Sequence, residues 1–317
     1  MKSAQIKTYG DNEVVEINPT APSLNDPSEG MVLVRVKAAG VNPSDYKLRE
    51  GFFKQMAPLQ FPATLGMDFS GVIEKVGEGV ASDLKQGEEV YGQAGVLAGG
   101  SGTFAGMALA KADKIAHKPK TLTHEEAAGL PTVGVSAWQA LVETMQLSKG
   151  QKILIHGGAG GIGSIGIQLA KHLGSYVATT VSTNDIQFVK EELGADEVID
   201  YKTRTFEDVL SHDFDAVFDT VGGETYTRSF KILKRDRGVL VSMLEQPVQE
   251  LMDQFGVKAA FLFSQANRER LTKLAEWVDQ NNIRVNVERI FPLDETHAAL
   301  DYQRDVHPRG KIVLAMQ

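Results

Sequence analysis

The 317-residue chain contains no cysteine. That absence excludes disulfides, thiol nucleophiles and zinc sites built on Cys ligands. No uninterrupted apolar run reaches the ~18 residues that a membrane helix needs, so no membrane partner is expected. The opening Met1-Lys2-Ser3-Ala4-Gln5-Ile6 lacks the apolar core of a secretory leader. A basic excess is missing too: 33 Lys and Arg stand against 41 Asp and Glu, a net charge of −8. Phosphate backbones are bound by concentrated Lys and Arg, so no nucleic-acid partner is expected. A cytoplasmic location is the expectation from the missing leader and, more weakly, from the missing cysteine.

What is present is the composition of a globular protein, with 42% hydrophobic and 23% charged residues. At ~150 residues per domain the length fits roughly two domains. Up to about residue 120 the chain reads as strands punctuated by turns. Val32, Val34 and Val36 alternate with Leu33, Arg35 and Lys37, the period-two pattern of a half-buried strand. Asp68 to Gly77 and Glu88 to Gly92 read as further strands. Thr123 followed by Glu126 is a capping-box signal for a helix start.

From Lys152 onward the pattern alternates. Six short apolar runs, at 153–155, 176–178, 197–199, 216–218, 239–241 and 260–263, are separated by helical spacings such as Ile162, Ile165, Leu169 and Ile186, Val189, Leu193. Such alternation predicts a doubly wound parallel sheet. A helix carrying Leu271, Leu274 and Val278 and a final strand, Lys311 to Leu314, close the chain. Whether this tail pairs with the β-rich beginning is not set by periodicity.

The strongest local signal follows the first of the six runs. Gly158, Gly160 and Gly163 fit GxGxxG, with a strand before and a helix after, and Gly161 and Ile162 lie in the same loop. Glycines there permit a tight turn, close approach of a pyrophosphate and close helix–strand packing. The helix N-terminus offers free N–H groups and partial positive charge. The pattern predicts a dinucleotide site. An NAD site carries an acid ~20 residues on, at the end of the second strand, for the ribose hydroxyls. Here that stretch reads Thr179-Thr180-Val181-Ser182-Thr183-Asn184, with no acid before Asp185. The chain therefore leans to NADP(H), with Ser182 and Thr183 either contacting the 2′-phosphate, capping the next helix, or both.

With the loop placed mid-chain behind a β-rich lobe, the sequence resembles the zinc-free medium-chain dehydrogenases/reductases, in the quinone oxidoreductase (zeta-crystallin-like) branch. The matching segments are Ala38 to Asp45, Pro62 to Val72, Leu130 to Ala137, the glycine loop through Lys171, Leu193 to Tyr201 and Arg309 to Leu314. They span essentially the whole chain in order. Zinc members of the superfamily carry Cys where this chain has Asn42, and Gly-His-Glu where it has Gly66-Met67-Asp68. Neither Asn42 nor Met67 is a plausible zinc ligand, so no metal is expected.

The resemblance implies an α/β fold: a GroES-like β-rich catalytic domain, residues 1–121 completed by 267–317, plus a Rossmann doubly wound parallel sheet at 122–266. It implies NADPH, with Ser136 near the nicotinamide ribose or carboxamide and Tyr201 near the adenosine 2′-phosphate. Val221, Gly222, Ser242, Phe261 and Phe263 are implied beside the cofactor. Relatives often place a Lys just after the Ser that ends the second strand. Here Asn184, Asp185, Ile186 and Gln187 occupy that stretch. Arg309 either supplies the missing charge or is a surface residue beside a turn.

The implied chemistry is metal-independent reduction of a quinone or an α,β-unsaturated carbonyl (an enal or enone). Charge developing on the carbonyl oxygen needs a donor. Asn42 offers an amide and Tyr46 a hydroxyl, with Tyr46 or water supplying the proton. Against these roles stand an Asn-Pro turn for Asn42 and ring packing for Tyr46. Phe52, Phe53 and Met56 form either an apolar acceptor wall or ordinary core. An enoyl-thioester reductase and an NADPH-binding redox sensor are the competing functions, and a homodimer paired along the edge of the Rossmann sheet is the expected assembly.

Overall fold

The long strand Met31–Val41 organises the N-terminal part of the computed structural model, which describes residues 1–316. Val32, Val34 and Val36 point into the core while Arg35 is exposed, as the period-two pattern requires. Beyond Lys37 the strand is buried on both faces. The covering element is the short helix His124–Gly129, whose Ala128 packs with Ala38 and Val313. Its capping box forms as expected: the Thr123 hydroxyl accepts from the Glu126 N–H at 3.2 Å, and Glu126 accepts from the Thr123 N–H at 2.8 Å. A cap of this kind contributes about 1 kcal/mol.

Seven strands build the sheet around Met31–Val41. The main path runs Val287–Pro292, Lys311–Ala315, Met31–Val41, Asp68–Val76, Glu89–Gln93 and Ile115–His117, with Met107–Lys111 also on Met31–Val41. The C-terminal strand thus pairs directly with the β-rich beginning, Leu314 opposite Ala39. The helix Arg268–Asn281 joins the same unit, burying Leu271, Leu274 and Val278. Its Leu271 carbonyl accepts from the Tyr91 hydroxyl at 2.6 Å, and Asp279 accepts from the Thr121 N–H at 3.0 Å.

Residues 133–265 form a second unit. All six apolar runs are strands of one parallel sheet. The order is Glu197–Asp200, Tyr176–Val181, Lys152–His156, Ala216–Asp219, Val239–Ser242, Lys258–Phe261. Numbered along the unit this is 3-2-1-4-5-6, the Rossmann order. Past their first residues the inner strands are buried, which suits a parallel sheet with both faces covered. The helix after the glycine loop spans Gly161–His172 and buries Ile165 and Leu169.

Contacts divide the chain after Thr132 and after Gln265 rather than at 121 and 266. The N-terminal shift has a local cause: the His124–Gly129 helix lies on the seven-stranded sheet, so it belongs to the first unit. Two other details differ from the sequence expectation. The Ile186–Leu193 segment is a short turn at Thr183–Asp185 followed by π-helical turns at Phe188–Glu192, not one regular α-helix. The sixth strand ends at Phe261, leaving Phe263 beyond it and exposed.

Candidate functional site

The turn that opens the nucleotide loop is made by Gly157, directly after strand Lys152–His156. Its φ of +69° is in the left-handed region, where side chains are disfavoured. Sequence reasoning assigned the turn to the GxGxxG glycines and missed Gly157; the extra glycine at the strand end was the available signal. Gly158 and Gly163 serve packing. A Cβ on Gly158 would lie 2.0 Å from Thr179 Oγ1, and one on Gly163 would lie 2.2 Å from the Gly157 carbonyl oxygen. Gly160 is different. A Cβ there would meet only the Gly157 oxygen, at 3.4 Å.

Gly160 is also the N-cap of Gly161–His172, and no side chain caps that end. The first-turn amides of Gly161, Ile162 and Gly163 lack intrahelical acceptors by helix geometry. An uncapped helix end, aimed past a glycine whose missing side chain leaves open space, fits a pyrophosphate.

At the end of the second Rossmann strand, Ser182 and Thr183 both spend their hydroxyl protons on acids. Ser182 Oγ donates to Asp185 at 2.7 Å, and Thr183 Oγ1 donates to Asp200 at 2.6 Å. That bond, with the Lys202 N–H and its charge, holds the Asp200 carboxyl below its ordinary range. Tyr201 is largely exposed beside it, followed by exposed Lys202 and Arg204. Asp200 closes the third strand and was missed, because the expected acid belongs at the end of the second. Arg309 belongs to the first unit, where its carbonyl accepts from Asn286 Nδ2 at 2.7 Å and its N–H donates to Glu288.

Asp219 gathers the tips of the fourth and fifth strands. Its carboxylate is fully buried and accepts from the N–H groups of Val221 (3.0 Å) and Gly222 (2.9 Å) and from Ser242 Oγ (2.7 Å). Ser242 Oγ in turn accepts from the Leu244 and Glu245 amides. Val221, Gly222 and Ser242 are therefore brought together by the Asp219 carboxylate, a residue the sequence reading missed. Ser136 is fully buried in helix Pro131–Trp138, and Phe261 is half-buried at its strand end.

In the first unit, Asn42 is the N-cap of helix Pro43–Arg49, and its N–H donates to Asp45 Oδ2 at 2.8 Å. Asn42 Nδ2 donates to Asp68 Oδ2 at 3.0 Å, and Asn42 Oδ1 accepts from Lys311 Nζ at 2.5 Å. Asp68 also accepts from the Thr132 N–H and hydroxyl and from Gln93 Nε2. Asn42, Asp45, Asp68 and Lys311 are all at most 3% exposed. Burial pushes the Asp45 carboxyl up to about 7, raises that of Asp68, and lowers the Lys311 ammonium. The turn role of Asn42 is therefore present, together with a polar network around its amide. Nδ2 carries two hydrogens, and one has no acceptor among the described residues.

Tyr46 lies one turn further along the same helix. Its ring is partly buried against the β core, and burial, with Glu50 nearby, raises its hydroxyl. No hydrogen bond among the described residues joins it to the Asn42 network. Phe52 (73% exposed) and Met56 (66%) lie on the surface, so they are not core residues. Among the described residues no three His, Asp or Glu side chains converge as a metal-ligand set.

Comparison with known proteins finds two family models on the chain, the second of which runs from the second unit into the C-terminal part of the first. Residues 28–120 match the alcohol dehydrogenase GroES-like domain model, and residues 193–314 match a zinc-binding dehydrogenase model. The chain is 35% identical to the mitochondrial NAD(P)H oxidoreductase RTN4IP1 of Mus musculus, over 98% of this chain and 87% of that protein. It is also 35% identical to the chloroplastic NADPH-dependent alkenal/one oxidoreductase of Arabidopsis thaliana, over 99% and 79% respectively. A solved quinone oxidoreductase from Coxiella burnetii superposes with a TM-score of 0.89 at 34% identity, covering 100% of this chain and 99% of that one. With its GroES-like unit, its Rossmann unit and these full-length relatives, the chain belongs to the medium-chain dehydrogenase/reductase family, in the zinc-free quinone oxidoreductase branch.

Proposed function

We propose that this protein is a zinc-independent oxidoreductase that uses NADPH to reduce quinones or α,β-unsaturated carbonyls. The carrying observation is the open, uncapped cradle at Gly160. The names of the relatives, an alkenal/one oxidoreductase and a quinone oxidoreductase, support the acceptor class. NADPH, when bound, supplies a hydride.

The residues of the chain do the rest. Amides of Gly161, Ile162 and Gly163 hold the pyrophosphate charge. Ser182, Thr183 and Tyr201 line the adenosine end, where Arg309 is a further candidate. Asp219 fixes the Val221-Gly222 turn and Ser242, and these residues serve with Ser136, Phe261 and Phe263 as the nicotinamide-side group. Asn42 donates its remaining N–H to the acceptor oxygen as charge develops there. Tyr46, a phenol that holds its proton at neutral pH, donates that proton to the product. Exposed Phe52 and Met56 offer apolar surface to a flat acceptor.

The chain acts as a homodimer in this reading. Lys258–Phe261 is an edge strand with partly exposed apolar side chains, and an edge of that kind is normally paired or shielded. Light scattering at the mass of one chain overturns the dimer. The compartment is the cytoplasm, a placement that co-fractionation with mitochondria overturns. No helix among the described residues is long and apolar enough to cross a membrane. Calorimetric titration tests the cofactor: one NADPH per chain is expected, and no uptake of either nicotinamide coenzyme overturns the reading.

A further inference from the structure

One buried cation has no part in the reaction so far. Lys311 is 3% exposed, and its Nζ donates to the Val41 carbonyl at 2.6 Å and to Asn42 Oδ1 at 2.5 Å. Burying an ammonium is costly unless partners compensate it. Asp68, which accepts hydrogen bonds on both carboxyl oxygens, supplies nearby negative charge, yet the hydrogen bonds of the ammonium go to two carbonyl oxygens.

The second of these oxygens belongs to a conjugated amide. A cation on an amide oxygen draws electron density from its nitrogen and makes both N–H bonds stronger donors. One N–H of Asn42 is held by Asp68, whose own position is fixed by Thr132 and Gln93. The other is the N–H assigned above to the acceptor oxygen. In a low-dielectric interior a nearby charge acts strongly along such a chain.

We propose that Lys311 is a positioning residue for the reduction, polarising the Asn42 carboxamide so that its free N–H stabilises the oxygen charge that develops on the acceptor. The proposal rests on the donor role of Asn42. No bond forms or breaks within Lys311, Asn42 and Asp68, and no proton leaves or joins any of the three through the cycle. Ammonium and amide together supply at the acceptor oxygen the polarisation that a Lewis acid supplies elsewhere.

The test compares kcat and KM for 9,10-phenanthrenequinone and 2-cyclohexenone, with NADPH affinity measured separately by fluorescence. Lys311→Gln and Lys311→Met are each combined with Asp68→Asn, so that no unbalanced carboxylate stays buried. Whichever double variant melts within a few degrees of the parent is the one read. Its kcat is expected to fall about tenfold or more, less than or comparable to the loss of an oxyanion donor. KM and NADPH affinity stay near the parental values, and Lys311→Arg restores most of the loss. Adding Asn42→Ala to the double variant costs little more, because both changes remove one interaction. A folded double variant with parental kcat overturns the proposal, and so do losses that simply add to those of Asn42→Ala. If Asn42→Ala alone leaves kcat unchanged, the donor role itself fails. If Asn42→Ala is impaired while the Lys311 variants are not, only the role of Lys311 fails.

Discussion

Lys311 Nζ lies 2.5 Å from Asn42 Oδ1, and the nitrogen of the same amide donates to Asp68 at 3.0 Å. A residue near the C-terminus is thus hydrogen-bonded to the N-cap of the first helix. The pairing depends on Lys311–Ala315 lying antiparallel to Met31–Val41, with Ile312 opposite Val41. The network sets charges in a dry environment, and that has consequences for stability as well as for catalysis.

Asp45 is the first. Burial lifts its carboxyl from 3.8 to about 7. A folded-state value above the unfolded one contributes stability that is complete below the unfolded pKa and is lost as pH rises toward about 7. His156 acts oppositely. Burial between Thr180 and Ser229 lowers it from 6.5 to about 4, so its contribution is present above 6.5 and is lost as pH falls toward 4. The two slopes oppose one another between about pH 4 and 6.5. Asp45→Asn removes one of them, up to about 4 kcal/mol over three pH units at 1.36 kcal/mol each. The melting temperature of the variant is expected to climb more steeply from pH 5 to pH 7 than that of the parent. Superimposable pH profiles contradict the buried, proton-holding Asp45.

The glycine loop separates binding from folding. Gly160→Val places a side chain where only one atom lies within 4 Å, so the fold is expected to survive. NADPH affinity is expected to drop at least about tenfold, or ~1.4 kcal/mol. Gly163→Ala drives a Cβ into the Gly157 carbonyl and is expected to cost about 1–3 kcal/mol of stability. Thermal melting and calorimetry on both variants check the contrast. Parental NADPH affinity in folded Gly160→Val contradicts the cradle.

Coenzyme preference turns on Asp200. Its carboxylate accepts a hydrogen bond from the Thr183 hydroxyl and adds negative charge where a 2′-phosphate is expected. Asp200→Asn removes that charge. The ratio of NADPH to NADH affinity is expected to rise several-fold, as read by fluorescence titration. An unchanged ratio places the 2′-phosphate elsewhere.

Tyr46→Phe tests the proton. Turnover is expected to fall without vanishing, because water also delivers protons. Unchanged kcat with every acceptor removes Tyr46 from the mechanism.

Much of this architecture was legible from local pattern. Apolar runs at 153–155 and 216–218 are buried on both faces, so their composition alone marks them as parallel strands. Thr123 and Glu126 announced a helix that duly caps itself. The glycine motif was readable because each glycine answers a nearby steric demand. What stayed hidden depends on contacts distant in sequence. Asp68 and Lys311 both lay in segments that resembled the family, yet their meeting at Asn42 is set by strand register. The same holds for Asp200, whose link to Thr183 crosses from one strand end to its neighbour. The boundary after Thr132 was hidden for a related reason: a helix does not state in its own sequence which sheet it covers.

The central claim, reduction by NADPH without a metal, is tested most directly by following NADPH oxidation at 340 nm with a panel of quinones and enones before and after exhaustive chelation. Turnover with at least one acceptor is expected, at the same rate after chelation. Binding of NADPH with no oxidation by any acceptor, or activity lost on chelation and restored by zinc, contradicts it.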